Sequence, residues 1–343
     1  MVKINQILKS LEKASTTNIE EIEQQLAVRF IDSRAVVPLF LGLNQASGVR
    51  YLFIHLKEKL PTQTLVNLPT WNGMNIEQVK TSISLASIHN EWFLVLHHQN
   101  ESDYKIFESV IENICIDLLS IEKNEGMITK LQRNLERWKY FFSVHGREGL
   151  SQEAQQGLYG ELWVLRELLQ NNHNSNIIDT WIGPENEAND FQKSGVALEV
   201  KTLTTKKHYK VSINNEKQLN DNGLRALFLV TVVLRKIDSG ETLPEIITSI
   251  RRKLGDNVYS IKMFEEKLFQ VGYLGNHSYL YNKGYVFEEL LSYQVSEGFP
   301  RVLTNELQQG VGDIKYSIQL AACESYKVDF KDVLYVYTQD EGG

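Results

Sequence analysis

Cysteine, proline and long apolar runs are scarce in this sequence. The 343 residues include only two cysteines, Cys115 in NICIDL and Cys323 in LAACES. Both lie in apolar surroundings and far apart, which argues for reduced core thiols and against a disulfide framework or a cysteine-based metal site. With six prolines and no internal repeat or low-complexity stretch, no linker announces itself, so boundaries must be read from changes in hydrophobic period. The longest nearly apolar run, Ala226 to Leu234, is far too short to span a bilayer. The opening MVKINQILKSLEKAS lacks an apolar h-region, so a cytoplasmic protein with no membrane segment is expected.

Other absences narrow the chemistry. No Gly-Lys dipeptide occurs, which excludes a Walker A loop and with it an ATPase motor in this chain. A GxSxG elbow and a GxGxxG fingerprint after a strand are missing too. His97-His98 has neither HExxH spacing nor a cysteine beside it and reads as a surface or interface pair. Positive charge is in deficit, with 36 basic against 43 acidic residues and a net charge of -7. That balance argues against coating nucleic acid through the overall field and leaves room for a local basic track.

What is present divides near residue 150. The first part opens with a helix at Ile4 to Ala14 and a second candidate helix at Ile19 to Ala27. Short strands follow at Val49 to Lys57, Ile83 to Ala86 and Trp92 to His97, then amphipathic helices at Tyr104 to Leu119 and Met127 to Val144. Trp138, Tyr140, Phe141 and Phe142 in the last of these read as core or interface rather than a base-stacking platform. This is an α+β module, residues 1–150, suited to recognition, assembly or regulation.

From Ser151 the elements are sharper. Ser151 is a plausible N-cap, and Leu158, Leu162, Leu165 and Leu169 recur at helical spacing. A loop (WIGPENEAN) leads to a strand at Asp190 to Gln192, a Ser194-Gly195 turn, and strands at Val196 to Leu203 and Tyr209 to Ile213. A short helix at Glu216 to Asn220, a buried strand at Arg225 to Leu234 and a helix at Leu243 to Leu254 follow. Arg251, Arg252 and Lys253 end that last helix, where positive charge suits the macrodipole.

The chemistry concentrates on the hairpin. In Val196 to Thr202 side chains alternate, so Glu199 and Lys201 share one face. If Ser194-Gly195 is a two-residue loop, Asp190 stands opposite Glu199. Two carboxylates facing each other across strands repel, so a cation belongs between them, either Lys201 or a divalent ion. Oxygen-only ligands suit Mg²⁺. Glu161, at the edge of the leucine stripe, is drawn towards the core and asks for a donor or a metal.

Glu161 on a helix, then Asp190, then Glu199-x-Lys201, in the order helix, three strands, helix, strand, resembles the PD-(D/E)XK nuclease superfamily. GELWVLREL, WIGPENEANDF and ALEVKT narrow the resemblance to the PD-(D/E)XK motif proteins of bacterial restriction and defence islands. It implies a restriction-endonuclease-like α/β (α+β) core at 151–235, with a mixed sheet flanked by helices, inside a nuclease domain at 151–343. It also implies hydrolysis of DNA phosphodiesters by Asp190, Glu199 and Lys201. Asp190, Glu199 and Glu161 would hold Mg²⁺, or Mn²⁺ in its place, and Lys201 would orient the attacking water and steady developing charge. Asn189 stands where the motif has proline.

Lys193, Lys201, Lys206, Lys207 and Lys210, against Glu199 alone, form a positive track beside this site. Lys206, Lys207, Lys210 and Gln218 are the expected DNA contacts, Gln218 being similar to a position that some relatives use. The expected function is a Mg²⁺-dependent DNA endonuclease in restriction or anti-phage defence. Its partners would be DNA, other proteins of the system and a second copy, since cutting both strands generally takes two sites. The alternatives are a DNA-binding or assembly subunit that keeps the nuclease fold, and a DNA repair nuclease.

Overall fold

The structure is a computed structural model. It describes residues 4–14, 17–19, 23–33, 35–83, 88–99, 104–122, 126–171, 175–185, 187–204 and 209–339. The chain divides into two compact units, Met1–Glu148 and Gly149–Gly343.

The first unit contains α1 (Ile4–Leu11), β1 (Thr17–Ile19), β2 (Glu23–Phe30), β3 (Leu39–Asn44), β4 (Arg50–Leu56) and α2 (Thr62–Val66). It continues with β5 (Met74–Ile83), β6 (Ile88–His98), α3 (Tyr104–Leu119) and α4 (Met127–His145). The six strands form one antiparallel sheet in the order β1-β2-β3-β4-β6-β5. The sheet curls until its edge strands β1 and β5 approach each other. Leu26, Phe40, Tyr51, Phe53, Phe93 and Val95 cluster on one face, while α1 and α3 pack against the sheet.

This unit corrects three readings. Ile19 to Ala27 is not a helix, because β1 ends at Ile19 and β2 runs through Ala27, paired to β3. Leu26, Val28 and Phe30 of β2 turn to one hydrophobic cluster while Arg29 between the last two is exposed, the twofold alternation of a strand. Ile83 closes the ten-residue β5 instead of opening a strand, and residues 84–87 lie outside the described residues. His98 is no surface group: only 1% exposed, its ring lies 5.6 Å from that of Phe107. In the aromatic stripe, Trp138 and Phe141 are core and Tyr140 is exposed.

The second unit contains α5 (Gln152–Asn171), β7 (Phe191–Lys193), β8 (Val196–Leu203), β9 (Lys210–Ile213), β10 (Ala226–Thr242), α6 (Leu243–Leu254) and α7 (Val258–Gln270). After these come β11 (Gly284–Val295), β12 (Tyr316–Gln319), β13 (Lys327–Val328) and α8 (Phe330–Thr338). Five strands make a mixed sheet in the order β13-β11-β10-β8-β7, in which only β8 and β10 are parallel, registered from Ala226↔Val196 to Val233↔Leu203. Ser151 Oγ accepts the Ala154 N–H at 3.1 Å and starts α5. The leucines of α5 share one core with Val196, Leu198 and Val200 of β8 and with Ile246, Ile247 and Ile250 of α6. Ala197 looks the other way, into a second core with Ile213, Leu227 and Leu229. Among the described residues no helix is long and apolar enough to cross a membrane.

The order helix, three strands, helix, strand holds along the chain but not as one sheet. β9 pairs with β12 in a separate two-stranded sheet, because β10 occupies one edge of β8 throughout and β7 with Asp190 takes the other. The expected helix at Glu216 to Asn220 is a 3-10 turn at Glu216–Leu219, capped by the Asn215 side chain. β10 runs eight residues past Leu234, to Thr242, where β11 pairs with Arg235 and Lys236 and again with Glu241 and Thr242 on either side of a bulge at 237–240.

Candidate active site

The site forms where one edge of β8 comes free. Ser194 and Gly195 both have positive φ, 47° and 75°, the two left-handed residues of a tight hairpin whose twist matches the flanking strands. This turn sets the register Lys193↔Val196, Gln192↔Ala197 and Phe191↔Leu198. Pairing stops there, and the next free edge N–H, that of Val200, donates to Asp190 Oδ2 at 2.7 Å. The Asp190 backbone is held as well, its N–H donating to Leu198 O at 3.2 Å and its carbonyl accepting from the Ile182 and Gly183 N–H groups at 2.9 and 3.0 Å.

Glu199 and Lys201 share a face of β8, and Lys201 Nζ lies 2.6 Å from Glu199 Oε1. Glu199 is 1% exposed, and its Oε2 is buried with no hydrogen-bonding partner. The ammonium also reaches Gln218 Oε1 at 3.4 Å. Glu161 arrives from α5, its Oε2 accepting the Trp181 indole N–H at 2.9 Å. Glu161, Asp190, Glu199, Lys201, Lys210 and Gln218 all line one open cleft of about 430 Å³. A methyl group on Gly183 would stand 3.0 Å from Asp190 Oδ1 and 3.5 Å from Glu161 Oε2, so the bare glycine keeps the space beside the two carboxylates open.

Burial raises all three carboxylates, and for Glu199 and Glu161 the neighbouring Asp190 charge adds to it. Burial and then the Asp190 charge push Glu199 well above its ordinary range against the pull of Lys201. Burial also raises Asp190 despite Lys201 and the Val200 N–H. For Glu161, burial and the Asp190 charge lift the pKa from the ordinary 4.5 to about 8 against the Trp181 N–H. Burial works against the Lys201 charge, but Glu199 and Asp190 more than offset it and hold the ammonium above its usual range. A carboxyl with a higher pKa in the folded than in the unfolded chain keeps its proton better when folded. Its stabilisation is therefore complete below pH 4.5 and is lost as pH rises towards 8. Without divalent cation, the melting temperature of the protein is expected to fall by at least about 3 °C between pH 5 and pH 8, and Glu161→Gln should flatten part of that slope. Calorimetry at several pH values checks it; a midpoint that rises over the interval would contradict it.

Among the described residues no three or more His, Cys, Asp or Glu already stand in a metal-ligating arrangement, and Lys201 covers one oxygen of Glu199. The donor set nevertheless fits a hard cation. Its atoms are carboxylate oxygens, Glu199 Oε2 has no partner, and Gly183 leaves room.

The expected lysine track is only partly assembled. Lys210 lines the cleft, Lys206 and Lys207 lie outside the described residues, and Lys193 instead donates to Thr338 O at the end of α8 at 3.4 Å. Arg251 is engaged locally by a two-pronged pair with Glu265. Three supporting residues were not anticipated. Trp181 positions Glu161, and the Lys267 ammonium, 1% exposed, holds Trp181 O and Glu185 Oε1, each at 2.6 Å. Asn189 donates its side-chain N–H to Gln218 O at 2.8 Å. Nothing in spacing or composition marks a lone Trp, Lys or Asn; only the pattern WIGPENEAN, sitting between Glu161 and Asp190, could have drawn attention to two of them.

No curated protein and no solved structure matches this chain. A family model described as "Putative PD-(D/E)XK family member, (DUF4420)" matches residues 4–321. With nearly the whole chain matched, and Asp190, Glu199 and Lys201 together on one hairpin edge, the protein belongs to this PD-(D/E)XK family.

Proposed function

We propose that this chain is a divalent-metal-dependent DNA endonuclease that acts in restriction or anti-phage defence. The observation that carries the reading is a single cleft holding Glu161, Asp190, Glu199 and Lys201, with Glu199 Oε2 buried and unpartnered. Nothing in the packing of the sheet calls for that trio of charges, and burying it costs stability. Asp190 and Glu199, supported by Glu161, would hold Mg²⁺ or Mn²⁺. When bound, the ion neutralises phosphate charge and makes its water acidic enough to act as a nucleophile.

The chain's own groups do the rest. Lys201, held between Glu199 and Gln218, is placed to orient a water and to stabilise charge that grows on the phosphoryl oxygens. Lys210 at the cleft wall offers a contact to a backbone phosphate. The N-terminal unit would serve recognition, assembly or regulation. A homodimer or a partner protein of the same system would supply the second site needed to cut both strands.

Purified full-length protein incubated with supercoiled plasmid is expected to yield nicked and linear DNA with Mg²⁺ or Mn²⁺, and none with EDTA. DNA binding without any cut under either ion would count against the reading and favour a binding subunit. Comparing linear, nicked and branched DNA separates a defence endonuclease from a repair nuclease.

A further inference from the structure

The PD-(D/E)XK motif puts proline before its aspartate, and here Asn189 occupies that place. A proline would contribute only backbone shape, but the Asn189 side chain is 6% exposed and its Nδ2–H donates to the carbonyl of Gln218 at 2.8 Å. A buried amide spends a hydrogen bond where a miss would be costly, so this contact is held firmly.

Gln218 sits in a 3-10 turn of only four residues, Glu216–Leu219, too short to hold itself in place. Three ties locate it. The Asn215 side chain accepts the Gln218 N–H at 3.2 Å, Asn189 holds its carbonyl, and the Asn214 N–H donates to Gln218 Oε1 at 2.7 Å. The third tie fixes the amide orientation: with Oε1 accepting from Asn214, the same oxygen faces the Lys201 ammonium at 3.4 Å. Lys201 thus has Glu199 Oε1 on one side and a neutral acceptor on the other. Glu199 alone would leave a flexible four-carbon stem free to swing about one contact. A second acceptor narrows that swing without adding a charge that would compete for the ammonium.

We propose that Asn189 is a positioning residue, which holds the Gln218 turn against the hairpin so that Gln218 steadies Lys201. The proposal rests on the nuclease reading for its kinetic consequence and on geometry alone for its structural one. It also predicts coupling between two residues twenty-nine positions apart: once Gln218 cannot accept from Lys201, Asn189 should have little left to contribute.

The test uses full-length Asn189→Leu, close in volume and unable to donate, with Gln218→Leu and the double variant. Asn189→Leu is expected to lower kcat on plasmid DNA about tenfold, the scale of a lost outer-shell hydrogen bond, with KM within about twofold. Gln218→Leu should lose at least as much, and the double variant no more than Gln218→Leu alone. In a crystal structure of Asn189→Leu, Gln218 Oε1 should stand at least about 1 Å further from Lys201 Nζ than in a crystal structure of the unaltered protein. Losses that multiply in the double variant, or a Gln218 that stays in place, would overturn the proposal. If the unaltered protein cuts no DNA, the nuclease reading fails and the pair of crystal structures still decides the positioning role. Should Asn189→Leu not fold, Asn189→Ala carries the same comparison.

Discussion

Lys201→Met is expected to slow DNA cleavage by on the order of 10³ while leaving Mn²⁺ binding as tight as before or tighter. The two effects have opposite signs for one physical reason. Lys201 Nζ lies 2.6 Å from Glu199 Oε1, so in the free protein the ammonium already occupies an oxygen that a cation would use. Methionine keeps the length of the stem and removes the charge, which frees that oxygen and leaves Glu199, 1% exposed, without a counter-ion. A buried carboxylate that loses its partner takes up a proton or another cation. Added metal should therefore stabilise the variant more than the unaltered protein. Cleavage fares differently, because a positive group aimed at developing charge is worth about 3 to 4 kcal/mol in such a site. Arginine should not restore the rate, its planar fork being unable to replace a compact ammonium. Single-turnover cleavage and calorimetric Mn²⁺ titration measure the two sides. A cleavage rate within tenfold of the unaltered protein would remove Lys201 from the chemistry. Metal binding lost along with the rate would mean that Lys201 helps to build the site rather than competing within it.

The second large effect concerns how α5 is seated. The same substitution at two glycines of this helix, Gly157→Ala and Gly160→Ala, is expected to change stability in opposite directions. Alanine is favoured over glycine in a helix interior by about 1 kcal/mol, and a Cβ on Gly157 meets nothing within 4 Å. Gly157→Ala should therefore raise the melting temperature. A Cβ on Gly160 would collide with Thr202 Oγ1 and stand 3.0 Å from Thr202 Cβ, so that turning the hydroxyl away relieves only part of the clash. Relieving the rest means lifting α5 from β8, and overpacking of that kind costs typically about 1 to 3 kcal/mol. Set against the propensity gain, the clash leaves a net loss of up to about 2 kcal/mol. Lifting α5 also carries Glu161, the next residue, away from Asp190, so cleavage should fall more steeply than stability. Thr202→Ala removes the offending oxygen and should recover most of the loss in combination with Gly160→Ala. Thermal unfolding of the four variants checks the signs. A stabilised Gly160→Ala would show that the helix does not rest on β8 as closely as described.

Much of the second unit could be read along the chain because its signals are local. β8 and α6 have the expected bounds, Val196–Leu203 and Leu243–Leu254. A strand with one clear alternation and a helix closed by a Thr242–Glu245 capping box and Gly255 carry their limits in their own residues. The Ser194-Gly195 turn belongs to the same class, since two positive φ angles set a hairpin register without help from elsewhere. The stretch leading into β2 reads as helix because its Glu and Gln residues favour one and Ile19, Ile22 and Leu26 recur at helical spacing, and only pairing with β3 overrides that local preference. The pairing of β9 with β12, more than a hundred residues away, leaves no trace in either segment.

The sequence by itself determined that Asp190, Glu199 and Lys201 meet, because a two-residue turn and the twofold period of a strand are short-range constraints that no distant packing has to supply. Glu161 was legible in part, as a carboxylate at the edge of a leucine stripe. Only the tertiary structure decided what holds these groups: the Trp181 indole on Glu161, Lys267 under Trp181, Asn189 on the Gln218 turn, and Gly160 letting α5 settle onto β8. Each is a single contact between segments far apart in the chain. Such a contact depends on distance and direction in space, and neither residue type nor spacing along the chain encodes it.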